Sequence, residues 1–162
     1  MKISCVLSKV IDWSLANSLK ILNKYMDNGN PFLYNGNIQI VVDAKLDYNE
    51  AIRKVVAGLL ILEKCDRRRI GRVERYVSTI FVSQATRSAY LFAGRLSVLN
   101  FEDVTVDLRS PVIIAEILAW HGTQGLLREK GFPCFWPVSR RLRQVCSKEQ
   151  SRFVKEWAAM TQ

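Results

Sequence analysis

At Asp47 the hydrophobic period of this chain changes. Before it, Ile38, Ile40, Val42, Ala44 and Leu46 alternate with Gln39, Asp43 and Lys45, the period-two signature of a strand with one buried face. After it, Ile52, Val55, Val56, Leu59 and Leu60 recur at helical spacing up to about Cys65. Asp47-Tyr48-Asn49-Glu50 lies at the change and reads as a capping box: Asp47 accepts from the first turn and Glu50 reaches back. A strand that hands directly to a capped helix commits the chain to a mixture of helix and sheet.

The flanking segments fit that mixture. Val10, Ile11, Leu15, Leu19, Leu22 and Met26 predict an amphipathic helix from about Ser8 to Asp27. Asp27-Asn28-Gly29-Asn30-Pro31 stops it, and Asn35-Gly36-Asn37 is a second turn signal. Phe32, Leu33 and Tyr34 form a short apolar loop between them. Ile70, Val73, Val77, Ile80 and Phe81 fit one helical face, although their β-branched side chains also suit a strand. Tyr90, Phe92, Gly94, Leu96 and Val98 fall on one side of a predicted strand from Ala89 to Leu99. Val104, Val106 and Leu108 make a third short strand. Ser110-Pro111 opens a helix that His121-Gly122 ends. Ser147-Lys148-Glu149-Gln150 reads as a second capping box, opening a C-terminal helix with Phe153, Val154 and Trp157 on one face.

The expected fold is therefore α+β. It is a single domain with a small, mostly antiparallel sheet, and helices pack on one side and at both ends. Residues 1–36 supply an N-terminal helix and turn, and residues 37–162 an α+β core with a basic C-terminal helix.

Charge supplies the functional lead. The 162 residues carry a net charge of +9. The excess sits in two places: residues 37–100 have 11 basic against 6 acidic residues, and residues 139–162 have 6 against 2. The first holds Arg67, Arg68, Arg69, Arg72 and Arg75, read as a basic loop between two helices. The second holds Arg140, Arg141 and Arg143. Three adjacent guanidiniums repel one another, and an anion relieves that repulsion through forked hydrogen bonds. These eight arginines are the candidate polyanion-binding residues. Lys148, Arg152 and Lys155 are read as ordinary solvated charges on a surface helix. Residues 101–138 are mildly acidic, and Glu102, Asp103 and Asp107 are candidates for self-association with a basic patch on a neighbouring copy.

No catalytic motif stands out. Cys5, Cys65, Cys134 and Cys146 have no metal-ligand spacing, so no metal or other cofactor is expected and reduced thiols are. His121, the single histidine, falls at a predicted helix end, where it reads as a cap residue. No nucleophile elbow or phosphate-cradling glycine loop is present. The chain reads as a non-enzyme with no small-molecule substrate. Tyr90 and Phe92 are read as core aromatics rather than a base-stacking platform. The longest uncharged apolar run, Val55 to Leu62, is too short to span a bilayer. Membrane contact would instead be peripheral, through Phe32, Leu33 and Tyr34 and through Phe135 and Trp136.

The order of elements from Ile38 onward resembles the matrix proteins of rhabdoviruses. The residues that carry the resemblance are Ile38 to Leu46 as a strand, Glu50 to Ala57 as the start of a helix, and Leu91 to Val98 as a sheet strand. The Lys-rich N-terminal arm and proline-tyrosine motif of many members are missing, as in a shortened, plant-virus-like member. The resemblance implies a viral structural protein that self-associates and bridges an anionic membrane and a ribonucleoprotein. It also implies residence in the virion and, peripheral to membrane, in the host cytoplasm, with the nucleus as a further site. The other reading of the same arginines is an RNA-binding regulatory or accessory protein.

Overall fold

A computed structural model describes residues 31–84, 87–102, 110–132 and 140–160. The predicted helix from Ser8 to Asp27, the strand at Val104 to Leu108, and Asp103, Asp107, Phe135 and Trp136 lie outside the described residues. The elements run β1 (Phe32–Tyr34), β2 (Ile38–Val42), α1 (Tyr48–Cys65), α2 (Arg67–Tyr76), β3 (Thr79–Ser83), β4 (Ala89–Leu91), β5 (Leu96–Asn100), α3 (Ser110–Glu129) and α4 (Arg140–Met160). The protein is an α+β single domain, as the sequence predicts.

The five strands form one mixed sheet in the order β1-β2-β3-β5-β4. Its outer pairs, β1 with β2 and β4 with β5, are antiparallel. Its inner pairs, β2 with β3 and β3 with β5, are parallel. The parallel centre follows from α1 and α2, which carry the chain back over the sheet between β2 and β3. Asn35 and Gly36 close the first hairpin in the left-handed region, at φ 49° and 72°, the conformation this dipeptide favours. A division of the chain at residue 36 therefore falls inside a hairpin: β1 belongs to the core sheet.

The main core lies between the sheet and the helices. Ile38, Ile40, Ile80, Val82 and Leu99 from the strands meet Val55, Leu59, Leu62, Ile70, Val73, Ile114 and Leu118, and Phe153 of α4 closes the cluster. Val41, Phe81, Leu96 and Val98 form a separate buried cluster. Their alternation with the core-facing strand residues places them on the opposite face of the sheet.

Four expectations change here. Ile80 and Phe81 lie in β3 rather than on the helix, because Val77 ends α2 in extended conformation. The predicted strand from Ala89 to Leu99 is a hairpin. A 3-10 turn at Phe92–Gly94 and the left-handed Arg95 separate β4 from β5, so the period-two pattern does not run through. The helix begun at Ser110 does not end at His121-Gly122 but continues to Glu129. Gly122 and Gly125 act there as contact points rather than as stops. A Cβ on Gly125 would lie 2.4 Å from Tyr76 Cβ, and one on Gly122 would lie 3.2 Å from the backbone of Val73, so glycine lets α3 press against α2. Finally, α4 begins at Arg140, so Ser147 is a helix-interior residue and caps nothing.

Candidate functional site

The arginine run is not a loop. Asp66 alone separates α1 from α2. Its backbone N–H donates to the Leu62 carbonyl, closing α1, while its carboxylate accepts from Arg68 N at 2.8 Å and opens α2. Arg67, Arg68 and Arg69 are thus the first turn of a helix, where the macrodipole disfavours cations. Carboxylates brought from other elements offset that cost.

Arg69 shows how. Its side chain is 1% exposed, so the candidate list is corrected at this residue: it faces inward and is out of reach of an external polyanion. Its Nε donates to Glu149 at 3.1 Å and its Nη1 to Glu156 at 2.5 Å, both on α4. The guanidinium also stands over the Phe153 ring, 5.7 Å from the centroid. Burial pulls the Arg69 pKa down, but the hydrogen bonds to Glu156 and Glu149 outweigh it and leave the pKa above its ordinary value. Glu156 is correspondingly held below the usual carboxylate range, chiefly by the Arg69 hydrogen bond.

The network extends at both ends. Arg72 Nη1 donates to the same Glu149 oxygen at 3.3 Å, and Arg152 Nε donates to Glu156 at 2.8 Å. Arg72, Glu149, Arg69, Glu156 and Arg152 therefore form an alternating ladder that staples α2 to α4. The two basic segments do come together, but through a seam of carboxylates.

This arrangement sorts the remaining candidates. Arg67 and Arg68 are exposed. Arg72 is half-buried in the ladder and also donates to Thr123. Arg75 is 66% exposed and donates to Glu129 at 2.7 Å. Arg140, Arg141 and Arg143 are exposed on the first turn of α4, and Arg141 lies over the Phe132 ring at 5.6 Å. Both carboxylates of α4 face α2. At 3.6 residues per turn, Arg141, Lys148, Arg152 and Lys155 fall together on another side of that helix.

The apolar-loop candidates separate. Phe32 and Leu33 are 38% and 53% exposed on the sheet's edge strand, whereas Tyr34 is a buried core residue. The membrane-loop reading is therefore corrected at Tyr34, which the hairpin directs inward. Its phenol pKa is raised, first by burial and then by Glu63. Glu102 is exposed.

His121 is a buried mid-helix residue, 4% exposed, and not a cap. Its Nδ1 shares a 2.8 Å hydrogen bond with Ser97 Oγ, and its ring stacks on Tyr90 at 5.6 Å. Burial lowers its pKa to about 3, so the imidazole is neutral at physiological pH. The Ser97 and His121 pair has the composition of a nucleophile and base, but Ser97 is fully buried and closed to substrate. Sequence spacing gave no sign of this pair, which only the packing of α3 on β5 creates. Tyr90 completes the cluster, donating its hydroxyl to the Tyr76 carbonyl at 2.5 Å. Phe92 instead lies beneath the Arg128 guanidinium at 4.4 Å.

Among the described residues, Cys65 is a half-buried cysteine and Cys146 a buried one, and no group of three His, Cys, Asp or Glu side chains is placed to hold a metal ion. No helix among them is long and apolar enough to cross a membrane. Comparison with protein families, with curated proteins and with solved structures returns no match. The likeness to rhabdovirus matrix proteins thus rests on the residue pattern alone.

Proposed function

We propose that this protein is a non-enzymatic assembly protein of matrix type, which self-associates, lies peripherally on anionic membrane and holds a ribonucleoprotein through the phosphates of its RNA. The observation that carries the reading is the sorting of charge on α4. Glu149 and Glu156 are engaged by Arg69 of α2, Glu156 by Arg152 as well, and Arg141, Lys148 and Lys155 lie together with Arg152 beyond them on the exposed side of the helix. A helix that needs only to stay solvated intersperses both signs on its surface. Arg67, Arg68 and Arg140 add further exposed cations. Such a surface grips a polyanion without reading its sequence, and its affinity falls with salt as counterions return. Residence in the virion and host cytoplasm is part of the same proposal. The exposed Phe32 and Leu33 supply an apolar contact of the kind a peripheral membrane site uses.

The test is RNA affinity as a function of salt. We expect Arg67→Ala/Arg68→Ala and Arg140→Ala/Arg141→Ala/Arg143→Ala to flatten the slope of log affinity against log salt. Each lost contact to single-stranded RNA is worth about 0.7 in that slope. Slopes equal to wild type in both variants remove the phosphate reading. Electron microscopy in low salt separates assembly, seen as filaments or sheets, from an RNA-binding regulator, seen as discrete particles.

A further inference from the structure

We infer that a trough on α4, lined by Ser147, Lys148, Ser151, Arg152 and Lys155, is a seat for successive phosphodiester groups of single-stranded RNA. The inference rests on the polyanion reading above and assigns it a place. In the sequence Lys148, Arg152 and Lys155 read as ordinary solvated charges, and the structure adds three facts.

First, the five residues line one depression of about 400 Å³. That is within the range of ligand sites, roughly 300–1,000 Å³. All five belong to α4, and the depression is open rather than enclosed. A trough suits a chain passing through it better than a small molecule held in it.

Second, the cations alternate with hydroxyls. Lys148, Arg152 and Lys155 follow one another at i, i+4 and i+7, and Ser147 and Ser151 at i and i+4. At 1.5 Å per residue the step from Lys148 to Lys155 covers about 10 Å. That matches about three nucleotides of a stacked strand, at roughly 3.4 Å each. Along that length the strand meets three charges and two neutral donors. Three of the five lining side chains are cationic and two carry hydroxyls, a complement to the charge of a phosphodiester chain.

Third, Arg152 is pre-oriented. Its Nε donates to Glu156, which Arg69 holds from the buried side. That contact biases the direction of the guanidinium's remaining N–H groups before any ligand arrives, while the Glu156 carboxylate offsets part of its charge. Lys148 and Lys155 are exposed and have no ion pair among the described residues.

The experiment uses the full chain and a labelled oligouridylate of about 12 nucleotides, within the site sizes of single-strand binders. Lys148→Ala/Lys155→Ala leaves the ladder intact. It is expected to reduce the salt slope by about 1.4, two contacts at about 0.7 each. Ser147→Ala/Ser151→Ala is expected to weaken binding several-fold at every salt concentration with the slope unchanged, because hydroxyls release no counterions. Circular dichroism verifies that both variants fold. If the lysine variant keeps the wild-type slope while the Arg67/Arg68 and Arg140/Arg141/Arg143 variants lose theirs, the trough is refuted and the polyanion reading survives. If no variant changes the slope, both fail. A serine variant that binds like wild type refutes a built seat. So does a lysine variant that loses phosphatidylserine vesicles but keeps the oligouridylate.

Discussion

Acidification should destabilise this fold through one side chain. His121 is the chain's single histidine, and its pKa falls from 6.5 to about 3 through burial. In the unfolded chain the imidazole takes up a proton near pH 6.5, whereas the folded protein refuses it until about pH 3. Between those values the unfolded state binds more protons, so stability falls as pH falls. The slope approaches 1.4 kcal/mol per pH unit. From pH 7.5 to pH 5 the loss is about 2 kcal/mol by the same linkage. The carboxylates with depressed pKa, Glu129 and Glu156, also lose stability on acidification, but at lower pH, so the window from pH 5 to 6.5 isolates the histidine. Urea unfolding followed by circular dichroism across that window gives the slope. His121→Gln keeps a polar group near Ser97 and removes the titration, and its stability should be flat there. An equal slope in the variant would refute the argument. A wild-type imidazole proton resonance titrating near pH 6.5 would do so independently.

Two other perturbations test the packing. Arg69→Met should cost roughly 2–4 kcal/mol in urea unfolding, because it leaves Glu149 and Glu156 facing one another across the α2–α4 seam without their shared cation. Adding Glu149→Gln/Glu156→Gln to it should recover part of that loss, and a strictly additive triple variant would contradict the ladder. The glycines should divide by location. Gly71→Ala meets nothing within 4 Å on an exposed helix position and should stabilise by about 0.5–1 kcal/mol. Gly125→Ala drives a Cβ into Tyr76 and should destabilise by roughly 1–3 kcal/mol, read as a lowered unfolding midpoint.

What the sequence discloses follows the range of its signals. Asp47 was legible as a cap because capping is local, and the Glu50 N–H does donate to its carboxylate at 3.0 Å. The Asn35-Gly36 turn was legible for the same reason. Gly122 misled because glycine after an apolar run is a local stop signal, while here it answers to a helix distant in sequence. The arginine run misled in the same way. Its charge density was plain, but the carboxylates that meet Arg69 stand 80 and 87 residues further on, beyond any window of local pattern. Arg67 and Arg68 stayed on the surface because the helical turn points them away from α4. The α4 trough was invisible for a different reason. Its lysines look like any solvated helix until Glu149 and Glu156 are seen to face elsewhere.

The mixed sheet has a kinetic consequence. Its rim pairs nearest neighbours: Tyr34 lies opposite Ile38 and Leu91 opposite Leu96. Its centre joins Ile40 to Ile80, across the whole of α1 and α2. The rim hairpins close small loops and can form early. The centre waits for both helices to fold and return the chain, since loop-closure entropy must be met before the contact stabilises anything. On a ribosome, β2 would therefore emerge and pair with β1 well before its other edge is satisfied. That leaves the backbone N–H and C=O groups along the second edge of β2 unpaired until β3 arrives, a period in which the nascent chain is open to association with its own copies.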